Sequence, residues 1–435
     1  MLIPRPVITD LGSRLRSGGA GLRVAVADID VDPLDLVRAG AHAFGSAAAF
    51  LSPDGTSVGG LGVAWETVAS GPDRLTRLDA AVAGLPRDAV VLTGAAFSDD
   101  GPRDEAWEGF PPAVAVVPQI SVVRVGGRSR IVVAVPAGGN PTMVLAALTS
   151  LRPVRPAPTT PSPGLTVEAE PEIDVWRDEV ADAVAAIRGG AMDKVVLARS
   201  LRVRTARPVD PLAIAAGLRD RYPGCRVFLW RRGEAAFVGA SPELLVLREG
   251  DRFETRPLAG SAGRGDDPDE DRRLGDRLLS SAKDLEEHRL VVEDVVGRLR
   301  PLAASLDRPA HPSLERFSTV QHLATPIVGA TDARALELAA AVHPTPAVAG
   351  SPRSEALAFI DKVEGLDRGW YAGAVGWIDP AGDGELALAL RCALVRNGEA
   401  VLYAGNGIVA DSDPQREVEE TRLKLRPMLE LLAGD

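Results

Sequence analysis

Short apolar runs separated by turn residues fill the first third of the chain. LRVAVADID, AVVLTGAAF, AVAVVPQISVVRV and SRIVVAVP each have the length and β-branched content of strands. Gly126-Gly127, between ISVVRV and SRIVVAV, marks a hairpin. The segment PVRPAPTTPSPG, residues 153–164, carries Pro at five of twelve positions and reads as a linker. It separates a strand-rich portion, 1–152, from the remainder, 165–435.

After the linker the period changes to that of a helix. Trp176, Val180, Ala183, Val184 and Ile187 make one apolar face, with Asp174 as its cap and Gly189-Gly190 as its stop. The strand KVVLARSLRVRT follows. Alternation puts Lys194 on one face with Val196, Ala198 and Ser200, and a lysine at a strand end ordinarily reaches out to water. A meander comes next, with turns at Arg232-Gly233 and Glu249-Gly250. Glu243, in GASPELLVL, is an isolated acid among small and aliphatic neighbours: either an exposed strand carboxylate, or a buried one that keeps its proton and serves as a general acid. Pro257 to Gly260 reads as a tight turn with free amides.

Two helices are expected over 268–300, the second opened by Ser281 with Asp284 as a capping box and buried along His288, Val291, Val292, Val295 and Leu299. Asp284 and Glu287 lie at the edge of that stripe. QHLATPIVG and HPTPAVAGSPR read as loops, and GWYAGAVGW and ELALALRCALV as strands. Arg391 interrupts the last run, and a buried arginine calls for an anion or a carboxylate partner.

The segment AGNGIVADSDPQREVEETRLK reads as a strand end, a glycine turn at Gly405 and Gly407, a loop, and a helix capped by Asp413 with Pro414 at its first position. Glu417, Glu420, Thr421 and Lys424 share one helical face; Val418, Leu425, Leu429 and Leu432 form an apolar stripe. The charged face is either solvated or holds a hard cation and an anion together. Two separate helices thus each offer a pair of carboxylates near their first turns.

Composition narrows the partners. The chain has 435 residues, 25% charged and 46% hydrophobic, with a formal charge of -11 and no long Lys/Arg run. Nucleic acid and anionic membrane are therefore poor partners. Two distant cysteines, Cys225 and Cys392, suggest neither a disulfide framework nor a zinc site. No apolar signal core and no run of membrane-spanning length is visible, so a cytoplasmic location is expected.

The blocks from about Asp174 to Leu432, taken together and in order, resemble the chorismate-utilising enzymes: anthranilate, aminodeoxychorismate, isochorismate and salicylate synthases. The resemblance implies an α+β fold of two stacked, mainly antiparallel sheets with helices packed outside. In it, 1–152 is the N-terminal strand-rich portion and 165–435 the chorismate-binding core. By position in the motifs, Lys194 of KVVLAR is the general base and Glu243 of GASPELL the general acid. His322 of QHLATP lies near the reacting side of the ring. Glu287 and Asp284 of KDLEEH, with Glu420 and Glu417 of EVEET, hold Mg2+. Arg391 of RCA and Tyr371 of GWYAG clamp the enolpyruvyl carboxylate. Gly260 and Ser261 of the PLAGS block, the Gly405/Gly407 turn and Lys424 hold the ring carboxylate. Ala259 stands where aminodeoxychorismate synthases use a lysine nucleophile, so a covalent amine intermediate is unavailable. Lys194 with Ala259 points to water as nucleophile, and the HPTPAVAGSP loop is similar to the isochorismate synthase form, with salicylate synthase as the alternative. No obligatory glutamine amidotransferase is implied, and a monomer or weak homodimer is expected. Asn406, commonly Gly or Ala, and Ser261, commonly Thr, depart from the pattern.

Overall fold

The computed structural model describes every residue except 17–20, 54, 155–163, 206–207, 397 and 435. Most of the Pro-rich linker therefore lies outside the described residues. Among those described, three sheets of twelve, nine and three strands form, and their strand pairs are antiparallel.

The two large sheets stack face to face, and aromatic side chains fill the space between them. Trp230, from the twelve-stranded sheet, packs edge-on against Trp370 at 5.3 Å between ring centroids. Trp370 in turn occupies the space over Gly94 of the nine-stranded sheet, where a Cβ would come within 2.1 Å of its ring. The other face of the twelve-stranded sheet is covered by helices that bury Leu11, Leu34, Leu148, Leu218 and Leu425. This is the α+β arrangement of stacked sheets with helices outside.

Both large sheets draw on the first 152 residues. Ser46–Leu51 pairs with Arg226–Arg232 in the larger sheet, and Val91–Ala95 pairs with Ala374–Ile378 in the other. The Gly126-Gly127 hairpin joins Ile120–Val125 to Arg128–Val135, as its turn chemistry demands.

Several local expectations need correction. The helix Ile173–Arg188 buries Trp176, Val180, Ala183, Val184 and Ile187, but Glu172 is its N-cap residue and Asp174 lies in the first turn, paired with Arg177 at 2.6 Å. QHLATPIVG is not a loop: Val320–Ala324 and Ile327–Ala330 are strands, broken at Thr325-Pro326. Pro257 to Gly260 is not a tight turn. Leu258–Gly263 is an edge strand of the three-stranded sheet, with a bulge at Gly260 (φ 73°) between the pairs Ala259–Leu323 and Ser261–His322. No helix among the described residues is long and apolar enough to cross a membrane.

Candidate active site

At Pro242-Glu243 the chain leaves the strand Ala235–Ser241 of the larger sheet and enters Leu244–Glu249 of the nine-stranded sheet. At residues 389–391 it crosses back, from Gly384–Leu388 to Cys392–Arg396. ELALALRCALV is therefore two strands in two sheets rather than one, and Arg391 takes a positive φ of 49° to make the crossing. The crossings are bonded to each other: Ala240 N donates to Arg391 O at 3.2 Å, and Leu388 N donates to Glu243 O at 3.2 Å.

Glu243 is 5% exposed. Burial pushes its carboxyl up to about 8, against a hydrogen bond with the Leu258 backbone and the charges of Lys194, Arg391 and Lys424. It keeps its proton at neutral pH. Arg391 makes no ion pair among the described residues; its Nη2 lies 3.4 Å from His322 Nε2. Burial and the charges of Arg391 and Lys424 hold the His322 imidazole well below its usual range, so the ring is neutral. Because a guanidinium only donates, Nε2 accepts and Nδ1 carries the proton toward Ser261 Oγ, 2.9 Å away. Tyr371, raised by burial and stacked on Tyr403 at 5.3 Å, completes this side.

Lys194 opens the strand Lys194–Arg204 and is 1% exposed, so it does not reach out to water. Its Nζ lies 2.9 Å from Glu287 Oε1 on the helix Ala282–Leu299. Gly405 and Gly407 are not a turn. They lie within the strand Glu399–Ile408, paired with Ala198 and Val196. A Cβ at Gly407 would sit 2.4 Å from Glu287 Oε1 and 2.6 Å from Lys194 Cε; one at Gly405 would sit 3.0 Å from Tyr371 Oη. The glycines make room for the working side chains, which is a second reason for glycine inside a strand.

Both acid-bearing helices are N-capped at the expected residues, although Ser281 and Asp284 form only the N-cap half of a capping box, since Ser281 N donates to Leu278 O instead. Ser281 accepts from Asp284 N at 3.3 Å and Asp413 from Arg416 N at 2.9 Å. Lys424 Nζ meets Glu420 Oε1 at 2.8 Å, Asn406 Oδ1 at 2.8 Å and Gly405 O at 3.0 Å. Burial pushes the Asp284 carboxyl up, and the charges of Glu287 and Glu420 push the same way, so acids from the two helices act on one another. Burial also raises Glu420, but Lys424 holds it below its usual value.

Glu417 differs from its expected role. It does not line the cavity that the other candidates share. It stands behind it, 2% exposed, paired with Lys283 Nζ at 3.2 Å and accepting from Asn406 Nδ2 at 3.0 Å. Burial and the charge of Glu420 raise its carboxyl. Lys283 was not anticipated. Its signal was a lysine in the first turn of a helix, where the macrodipole disfavours positive charge.

Thirteen of the fourteen sequence candidates line this one cavity, Glu417 being the exception. Whether it suits a cation is a matter of donor chemistry. Its acids offer oxygen only, and Gly407 and Gly260 let Glu287 and Asp284 approach closely: a Cβ would come within 2.4 Å of Glu287 Oε1 and 3.1 Å of Asp284 Cβ. No group of three or more His, Cys, Asp or Glu among the described residues is placed to hold a metal ion by protein ligands alone. Mg2+ does not need one: it typically takes one or two carboxylates and completes its shell with water and substrate oxygens. Glu287 and Glu420 fit that demand.

A family model for chorismate binding enzymes matches residues 19–433. The salicylate biosynthesis isochorismate synthase of Pseudomonas aeruginosa is 42% identical over 394 residues, spanning 86% of this chain and 82% of that protein. Isochorismate synthase DhbC of Bacillus subtilis is 40% identical over 62% of this chain and 70% of its own length. Among solved structures, MenF, the menaquinone-specific isochorismate synthase of Escherichia coli, superposes with a TM-score of 0.84 at 27% identity, covering 98% of this chain and 99% of that one.

Proposed function

The chain belongs to the chorismate-binding enzyme family, and from that premise we propose that it converts chorismate to isochorismate. The enzyme is then an isomerase of the hydroxymutase type. Water adds at C2 of the ring, the double bonds shift, and the C4 hydroxyl leaves. Lys194 takes the proton from the attacking water, and Glu243 gives its proton to the departing hydroxyl. One water enters and one leaves, so the product is an isomer of the substrate.

The observation that carries this reading is Glu243. Burial lifts its carboxyl to about 8, so it holds the proton that a leaving hydroxyl needs. Lys194 lines the same cavity and is the amine available for the opposite task. Ala259 also lines it and offers no nucleophile, which favours water over a covalent amine route and over any amidotransferase partner. Arg391, with no carboxylate partner among the described residues, is free for a substrate carboxylate. Gly260, Ser261, Gly405, Gly407 and Lys424 border the space left for the other.

Charge balance argues for a divalent cation. As the base, Lys194 must be neutral, which leaves the cations Lys283, Arg391 and Lys424 against the carboxylates Asp284, Glu287, Glu417 and Glu420. With Glu243 protonated and His322 neutral, the site is net negative before substrate enters. A dianion such as chorismate adds two more negative charges. Mg2+ held by Glu287 and Glu420, with Asp284 nearby, would offset that added charge at the ring carboxylate.

The test is a lactate dehydrogenase-coupled assay with chorismate and Mg2+. The expected result is loss of chorismate without pyruvate, and pyruvate release once an isochorismate-cleaving lyase is added. Pyruvate from the protein alone would instead make it a salicylate synthase, and ammonium-dependent turnover an aminating synthase.

A further inference from the structure

One edge of the strand Lys194–Arg204 pairs with Glu399–Ile408 along nearly its whole length. The other edge pairs with Gly350–Ser351 at Lys194 and Val195, and with Thr166–Glu170 from Ser200 onward. Between these, residues 196–199 face no strand among the described residues. A buried gap of this kind would leave peptide groups unpaired, which is costly.

The gap is closed without a strand. Val196 N donates to Ala349 O at 2.8 Å, and Trp176 Nε1 donates to Ala198 O at 3.2 Å. The two remaining groups are met by an ion pair. Ala198 N donates to Glu364 Oε2 at 2.8 Å, and Arg368 Nη2 donates to Val196 O at 2.8 Å. Arg368 also grips Glu364 through Nε at 2.6 Å and Nη2 at 2.7 Å, and donates Nη1 to Val348 O at 2.8 Å. The two side chains are 3% and 1% exposed, and the ring of Phe97 covers the guanidinium at 4.3 Å.

A buried ion pair is a poor source of stability by itself. This one is placed to fix geometry. Val196 and Val348 both line the active cavity, and Lys194 stands two residues before Val196 on the same face. One guanidinium thus bonds to backbone on both of these cavity walls.

We propose that Glu364 and Arg368 are positioning residues for proton transfer at Lys194. They hold the unpaired stretch of its strand and the facing segment 345–349 at a fixed separation, and so set where the Lys194 amine meets the substrate. The proposal rests on the isochorismate-forming reading with Lys194 as base. It assigns neither residue a contact with substrate.

The experiment compares Glu364→Gln, Arg368→Lys and the double variant Glu364→Gln/Arg368→Gln with the native protein, using variants whose circular dichroism matches it. The double variant leaves no lone buried charge, so it serves if a single variant fails to fold. The expected result is a kcat lowered by about 100-fold. KM for chorismate should stay within a factor of about 3, because Arg391 and Lys424 are untouched. Backbone amide exchange at Val196 and Ala198 should rise while that of the paired residues 201–203 does not. A folded variant with native kcat, a KM that rises as far as kcat falls, or unchanged exchange at 196 and 198 would overturn the proposal. If the native protein leaves chorismate untouched, the functional reading fails instead, and amide exchange alone then judges whether the pair holds the strand.

Discussion

Glu243 and Arg391 occupy neighbouring crossings between the two large sheets, joined by the hydrogen bonds Ala240 N to Arg391 O and Leu388 N to Glu243 O. The proposed acid and the proposed carboxylate clamp are therefore set by one piece of backbone. Substrate held by the guanidinium is held relative to the proton donor, which is the condition for efficient proton transfer.

Arg391→Lys tests the clamp. The ammonium keeps the charge but loses the planar fork that meets a carboxylate at two points. Losing one charge-assisted hydrogen bond of about 1.5–3 kcal/mol should raise KM for chorismate by about 10- to 100-fold, with a smaller change in kcat. Steady-state kinetics at saturating Mg2+ checks this.

The raised carboxyl of Glu243 makes the alkaline limb of the pH profile diagnostic. Its proton is held below about 8 and lost above it, so kcat/KM should decline with a midpoint near that value. Stability follows the same sign. A folded-state value above the unfolded one means that this group's contribution is full at low pH and fades as pH rises through about 8. Glu243→Gln should cost about 10²–10⁴ in kcat and remove its part of the alkaline loss of Tm.

Gly407→Ala should damage the site without disturbing the fold elsewhere. Its Cβ would meet Glu287 Oε1 at 2.4 Å and Lys194 Cε at 2.6 Å, so both side chains must move. A displacement of about 1 Å at the base is expected to cost about 100-fold in kcat. Gly398→Ala, at a position with open space around it and a φ of 79°, should affect stability only.

Much of this site was legible because its residues break local patterns. Glu243 is an acid in an apolar run, Lys194 a lysine on a small-residue face, and the carboxylates recur at helical spacing on two helices. What was not legible depends on tertiary contact. Gly405 and Gly407 carry the same sequence signal as a turn, and only the side chains of Tyr371, Glu287 and Lys194 arriving from elsewhere reveal them as strand positions. ELALALRCALV gives no sign of changing sheets at Arg391, since apolar residues suit both. Glu417 and Glu420 share a helical face, yet only Glu420 is on the cavity wall, while Glu417 is held behind it by Lys283 and Asn406. Asp174 is not the cap because the helix begins one residue before it, with Glu172 at the N-cap position.

Removal of metal should abolish turnover. With Mg2+ chelated, a dianionic substrate meets one cation without a carboxylate partner among the described residues, Arg391, while Lys283 and Lys424 are already paired to carboxylates. EDTA should stop the reaction and added Mg2+ restore it. Glu420→Gln should raise the Mg2+ concentration needed for half-maximal rate by at least about 10-fold. Activity that persists in thorough chelation would contradict the assignment of Glu287 and Glu420.

The central claim is that water, activated at Lys194, becomes the new hydroxyl at C2. Turnover of chorismate in 18O-enriched water, followed by mass spectrometry and NMR of the product, tests it directly. The expected product is isochorismate carrying one 18O at C2, with Lys194→Ala forming it at least about 100-fold more slowly. Isochorismate without 18O, or a Lys194→Ala variant that labels C2 at the native rate, would contradict the claim.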